Sequence, residues 1–171
     1  MRTRSPPISF LRQASGKYGR TTYERSRARR SVDRALVDTG AVVALFNRAD
    51  RHHAAAVEWF SRYRGLLLTT EAVITETAYV LAASRPHQSA ALLWFNRARA
   101  VELLQVEPVS SYAALDGIIG RYSKLPCDYA DATLIELAER SGVTVIATVD
   151  QRDFSVYRLR GRKRFRIVLG Q

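Results

Sequence analysis

The chain has 171 residues, 47% of them apolar and 25% charged, with a single cysteine, Cys127. That length holds one domain with a proper core and not two. One cysteine excludes an internal disulfide framework and fits a reducing compartment. The formal charge of +11 points toward polyanion partners. Most of it lies at one end, however: residues 1–31 carry nine of the 27 Lys and Arg and one of the 16 acids, so residues 32–171 are only mildly basic. The apolar runs fall far short of a membrane span, and no apolar stretch of the secretory type follows the basic N-terminus. The expectation is a soluble cytoplasmic protein with no membrane partner.

Residues 1–31 mix Arg, Ser, Gly and Pro without helical or strand periodicity, and they read as a disordered basic extension. It is either a nucleic-acid-binding arm or a stretch upstream of the native start. The domain proper covers residues 32–171. Residues 35–37 form a short apolar strand that stops at Asp38. Residues 39–47 and 53–64 read as helices, and residues 66–68, bounded by Gly65, as a buried strand. A helix over 70–83 closes at Ser84-Arg85-Pro86, because proline disfavours helix at the residue before it. A helix over 87–100 and a strand over 101–106 follow. Pro108 then breaks the chain, and Ser110 or Ser111 caps a helix running to Tyr122. Pro126 and Asp128, an N-cap, precede an amphipathic helix over 129–140 that Gly142 closes. Residues 143–146 and 165–169 are the last strands. Strands alternating with helices predict an α/β fold, a central parallel sheet flanked by helices on both sides. In such folds sites gather beyond the carboxyl ends of the strands.

Four acids occupy unusual places. Asp38 closes the first strand, and Asp150 follows the apolar run 143–149. Each alone also fits a capping role, Asp38 on the helix from Thr39 and Asp150 in an Asx-turn into Gln151 and Arg152. Glu76 shares a helical stripe with Val73 and Val80, and Asp131 shares one with Leu134, Ile135 and Ala138. Glu136 and Arg140 fall away from that second stripe and read as solvent-facing charges. A carboxylate on a core-facing stripe is costly unless it is paired or binds metal. The choice is therefore between a part-buried ion pair with an arginine and one convergent acidic pocket. Clustered carboxylates repel one another and call for a hard cation such as Mg²⁺ or Mn²⁺. His52 and His53 are adjacent and cannot share a helical face, so no zinc spacing competes. Phosphate-binding glycine loops and a serine nucleophile elbow are also absent from the sequence.

The segments around these acids resemble the four motifs of a PIN domain. Residues 35–46 (ALVDTGAVVALF) are similar to its opening, residues 70–81 (TEAVITETAYVL) to its second motif with Glu76, residues 129–134 (YADATL) to its third with Asp131, and residues 147–154 (ATVDQRDF) to its fourth with Asp150. Each motif is weak alone, but four in register over about residues 33–170 are fairly specific. The compact size resembles the VapC toxins of bacterial toxin–antitoxin pairs. This resemblance implies a Mg²⁺-dependent endoribonuclease that hydrolyses phosphodiesters with metal-activated water, with Mn²⁺ as an alternative ion. It implies that Asp38, Glu76, Asp131 and Asp150 are the catalytic, metal-holding acids; Asp153, near the fourth of them but not its counterpart in the motif, is a candidate auxiliary ligand. It further implies a homodimer and a VapB-like antitoxin partner whose C-terminal segment lies over the active site. A non-catalytic RNA-binding or regulatory module, or a DNA nuclease, remains the alternative.

Two departures stand out. Many members have Ser where this chain has Gly40, which leaves Thr39 or Thr148 to supply a hydroxyl, and the basic extension has no counterpart in the family pattern. On the substrate side, the cluster Arg158, Arg160, Arg162, Lys163, Arg164 and Arg166 either contacts RNA phosphates or forms a solvated loop before the last strand.

Overall fold

The structure, a computed structural model, describes residues 33–169; the basic extension expected over residues 1–31 lies outside the described residues. Five strands, β1 (Arg34–Val37), β2 (Leu66–Thr70), β3 (Leu104–Glu107), β4 (Val145–Ala147) and β5 (Arg166–Ile167), form one sheet in the order β3-β2-β1-β4-β5. Every neighbouring pair is parallel. The helices are α1 (Thr39–Phe46), α2 (His53–Arg62), α3 (Glu71–Val80), α4 (Arg85–Ala100), α5 (Tyr112–Arg121), α6 (Tyr129–Ser141) and α7 (Gln151–Val156).

Side chains that alternate along a strand point to opposite faces of the sheet, and β1 feeds two cores in this way. Ala35 and Val37 join a cluster with Val42, Phe46, Phe60, Trp94 and Phe95, which α1, α2 and α4 contribute. Leu36 joins the other, with Leu115 and Ile118 of α5, Leu134 and Ile135 of α6, and Phe154 of α7. A sheet buried on both faces explains why its strands read as continuous apolar runs rather than as alternating ones.

Several element boundaries differ from the sequence reading. Pro86 lies in the first turn of α4 rather than after the end of α3, where its missing N–H costs no helical hydrogen bond. α3 ends at Val80 and runs on as a 3₁₀ turn, Leu81–Ala83. The strand expected from residue 101 begins at Leu104, because Glu102 adopts a left-handed φ of 55° and turns the chain. Val143 is buried but precedes β4, and the last strand is two residues long. α7 has no counterpart in the sequence reading, since six residues are too few to show a helical period. Ser111 and Asp128 do cap α5 and α6, and Gly142 closes α6 at φ 73°.

Glu136 is not a solvent-facing charge. It is buried, pairs with Arg140 at 3.4 Å and accepts a hydrogen bond from Ser110. Arg140 reaches on to Glu107 at 3.0 Å and to the Pro108 carbonyl at 3.0 Å, tying α6 to the end of β3. The cause is that α6 lies between the sheet and α5, so it buries more than one stripe. Val80 is likewise exposed, and the buried positions of α3 are Val73 and Thr77. Glu76 therefore sits at the edge of the buried face, half-covered.

From β1 the chain builds outward to β2 and β3 on one side, and β4 and β5 add on the other. The two halves meet between β1 and β4. At such a switch point the connections diverge to opposite sides and leave a crevice beyond the strand ends. The Asp38 amide spans it, donating to the Ala147 carbonyl at 3.0 Å.

Candidate active site

Asp38 leaves the end of β1 directly into α1 and is both a cap and a buried acid. Its Oδ1 accepts from the Thr39 amide at 2.7 Å and its Oδ2 from the Gly40 amide at 3.4 Å. The Thr148 hydroxyl, just beyond β4, donates to Oδ2 at 2.7 Å. Thr39 turns the other way, its hydroxyl donating to Oε2 of Glu76 at 2.5 Å. Beyond β4, the Asp150 amide donates to the Thr148 hydroxyl at 2.9 Å, and its carboxylate caps α7 by accepting from the Asp153 amide at 3.0 Å. Asp131, in the first turn of α6, accepts from the Tyr157 hydroxyl at 2.8 Å. Asp153 is buried beside Asp150, with Arg152 3.7 Å away.

These groups feel one another. Burial lifts the Asp38 carboxyl to about 6 against the hydrogen bonds from Thr148 and Thr39, and the charge of Glu76 adds to the rise. Burial likewise lifts Asp131 to about 8; Tyr157 opposes the rise, and the charges of Asp128, Asp38 and Asp150 increase it. Asp153 is raised by burial and by Asp150. Among the described residues, none of Asp38, Glu76, Asp131 and Asp150 pairs with a Lys or Arg. Among the described residues no ion pair with arginine neutralises Glu76 or Asp131.

An oxygen-only donor set with uncompensated, raised carboxyls fits a hard divalent cation. Among the described residues no three His, Cys, Asp or Glu converge tightly enough to hold a metal between them. The set therefore fits a divalent cation that some of the acids would hold directly and the others through bound water.

Tyr157 is the site residue that sequence reasoning missed. It is fully buried, and its ring packs against Tyr122 and Phe154. A buried tyrosine hydroxyl needs a partner, and here the partner is an acid 26 residues earlier in the chain. The available signal was weak: one aromatic a few residues beyond the fourth acid.

The family model for the PIN domain matches residues 35–159. The chain belongs to the PIN-domain family. It is 30% identical over 135 residues to ribonuclease VapC26 of Mycobacterium tuberculosis, a match covering 78% of this chain and 98% of that protein. Its fold resembles the crystal structure of Mycobacterium tuberculosis VapC20, described as a toxin that cleaves the sarcin-ricin loop. The TM-score is 0.60 at 21% identity, over 69% of this chain and 91% of that one.

Against the PIN pattern, Gly40 has a steric reason. A Cβ at this position would stand 2.7 Å from Cγ2 of Val149 and 3.4 Å from Oδ2 of Asp38. The site instead carries two hydroxyls, of Thr39 and Thr148, each bound to one of the acids. Gly40→Ser is expected to lower stability by about 1–3 kcal/mol, the usual cost of overpacking around a stiff β-branched neighbour. Chemical denaturation reads this, and a second change, Val149→Ala, should recover part of the loss; an unshifted midpoint for Gly40→Ser alone would refute the close contact.

The basic cluster divides. Arg158 folds back on the carbonyls of Ser155, Val156 and Tyr157 at 2.6, 2.7 and 2.9 Å, closing α7. Arg160 pairs at 3.0 Å with Glu139, whose side chain is almost fully buried and also holds Arg121. Gly161 and Arg162 both take left-handed φ values, 73° and 61°, and the Leu159 amide closes the loop on the Lys163 carbonyl at 2.9 Å. The loop is thus anchored by two arginines while it presents Arg162, Lys163 and Arg164 to solvent.

Proposed function

We propose that this PIN-domain chain is a divalent-cation-dependent endoribonuclease, the VapC-type toxin of a toxin–antitoxin pair. The observation that carries the reading is the group of mutually repelling acids at the switch point, with no basic partner among the described residues. The likeness to a ribonuclease, VapC26, directs the reading to RNA.

In this reading Asp38, Glu76, Asp131 and Asp150 hold Mg²⁺, or Mn²⁺ in its place, with Asp153 supporting Asp150. When bound, the cation supplies a Lewis acid that makes water a better nucleophile and offsets charge on the phosphodiester. The chain's own groups keep the acids oriented: Thr148 and the Thr39 amide hold Asp38, Thr39 holds Glu76, and Tyr157 holds Asp131. Phosphate contacts fall to Arg162 and Lys163, since Arg158 and Arg160 are engaged within the fold. A VapB-like antitoxin covers the site, and the chain acts as a cytoplasmic homodimer. Exposed Tyr79 and Val80 on α3 and Leu92 and Leu93 on α4 offer it apolar surface. Among the described residues no helix is long and apolar enough to cross a membrane.

Incubating the protein with single-stranded RNA and DNA, with Mg²⁺ and with chelator, tests the reading. RNA cleavage that needs Mg²⁺ and vanishes in Asp38→Asn is the expected result. Cleavage of DNA alone would make it a DNA nuclease, and RNA binding without cleavage a non-catalytic module.

A further inference from the structure

Between α7 and the segment that leads into β5 runs a cleft that none of the catalytic roles uses. It has a volume of about 370 Å³ and is lined by Gln151 and Ser155 of α7, by Arg164 and Phe165, and by Ile167 of β5. Gln151 directly follows Asp150, and Ser155 lies one helical turn on, a rise of about 6 Å. One end of the cleft therefore lies at the residue that follows Asp150, and its lining continues along α7 and to Arg164. Phe165 and Ile167, both with little exposure, give it an apolar floor. Its rim is polar. Among the described residues the Gln151 side-chain carboxamide and the Arg164 guanidinium make no hydrogen bond or ion pair, while the Ser155 hydroxyl donates back to the Arg152 carbonyl at 3.0 Å and keeps its lone pairs. Exposed Arg162 and Lys163 precede Arg164 in the chain, so the Arg164 end of the cleft is cationic, whereas Gln151 at the other end directly follows an acid, Asp150.

We infer that this cleft is a subsite for single-stranded RNA, seating the nucleotide that flanks the bond to be cut. The inference rests on the ribonuclease reading for its substrate class, and it adds where the strand lies. An apolar floor suits the face of a base, the Gln151 amide can donate to and accept from a base edge, and a guanidinium fits a phosphate. The charge gradient also sets the direction of approach. The acids repel a polyanion, and the basic end draws the strand past them along α7. Arg164 is then a substrate-binding residue outside the acid set, and Arg158 and Arg160 act only by holding the loop that carries it.

The test is binding of a fluorescent unstructured RNA 12-mer without divalent metal, in an Asp38→Asn background, so that it is independent of cleavage. Arg164→Ala is expected to weaken binding several-fold and to reduce the slope of log K against log salt by about 0.7, one phosphate contact on a single strand. Arg164→Lys should keep the slope. Gln151→Ala should weaken binding at unchanged slope, and its effect should disappear on RNA with an abasic nucleotide at one position. Arg97→Ala, on the exposed face of α4, is the control that changes neither. An unchanged slope in Arg164→Ala overturns the inference. So does an equal loss of polyglutamate binding, which would make the cleft a general anion surface or a seat for an acidic peptide. If the RNA binds as expected but native protein cleaves no RNA, the ribonuclease reading fails and the cleft stands as a single-stranded RNA site without a bond to be cut beside it; cleavage with no effect of Arg164 or Gln151 overturns the cleft and leaves the ribonuclease reading.

Discussion

Asp131→Asn is expected to lower RNA cleavage by more than about 100-fold while raising the melting temperature of the metal-free protein. The two effects have one origin. Asp131 is mostly buried, lies near Asp128, Asp38 and Asp150, and has a carboxyl lifted to about 8. Above that pH the fold holds a charge it would be more stable without. An amide of the same shape still accepts from Tyr157 and carries no charge, so the penalty disappears. A one-unit shift corresponds to about 1.4 kcal/mol. After discounting for partial exposure, a gain of about 2–4 kcal/mol at pH 8.5 is expected, or roughly 4–16 °C for a chain of this size. The activity loss follows because even a neighbour of a metal ligand typically costs about 10–100-fold when removed, and Asp131 is proposed here as a ligand itself. Scanning calorimetry in chelator and a cleavage assay in Mg²⁺ read the two effects separately. A variant both inactive and less stable would mean that Asp131 serves the fold and not a cation.

The same trade between stability and function explains which parts of the site the sequence disclosed. Asp38 and Asp150 were visible because each follows an apolar strand, yet sequence could not separate capping from catalysis at either. The cap leaves room for the proposed role: Asp38 accepts from the amides of Thr39 and Gly40 while it stays within the field of Glu76. Glu76 and Asp131 were legible from their helical neighbours, but the stripe reasoning failed at Val80 and Glu136. A single period assumes one buried face, and α6, covered on two sides, buries an acid as well. The partners of the acids were the least legible part. Tyr157 reaches Asp131, and Thr148 reaches Asp38 across 110 residues of sequence, and no local pattern encodes contacts made only when β1, β4 and α6 come together. The basic run after α7 looks like one unit in sequence because composition does not reveal that Arg158 directs its donors to α7 and Arg160 to Glu139.

Raising the pH from 5 to 8 without divalent metal is expected to destabilise the protein, and adding Mg²⁺ is expected to reverse this most strongly at pH 8. The sign follows from the carboxyls. Asp38 and Asp131 hold protons more tightly in the fold, to about 6 and about 8, than the ordinary value of 3.8 they regain on unfolding. The folded state then binds more protons than the unfolded one between pH 4 and pH 8, and stability falls as pH rises through that window. The Asp38 contribution is spent by about pH 6, and the Asp131 contribution continues to about pH 8. Acids held by ion pairs behave in the opposite way, losing stability on acidification, so the direction of the slope is diagnostic. Cation binding needs the deprotonated carboxylates and stabilises only the folded form, by RT ln(1 + [Mg²⁺]/Kd). Its effect on melting temperature should therefore be small at pH 5 and grow toward pH 8, just where the metal-free protein is weakest. In a double variant, Asp38→Asn with Asp131→Asn, both the pH slope and the Mg²⁺ shift should largely vanish. A metal-free melting temperature that rises between pH 5 and pH 8 would show that these acids are compensated within the chain, and a Mg²⁺ shift that persists in the double variant would place the ion elsewhere.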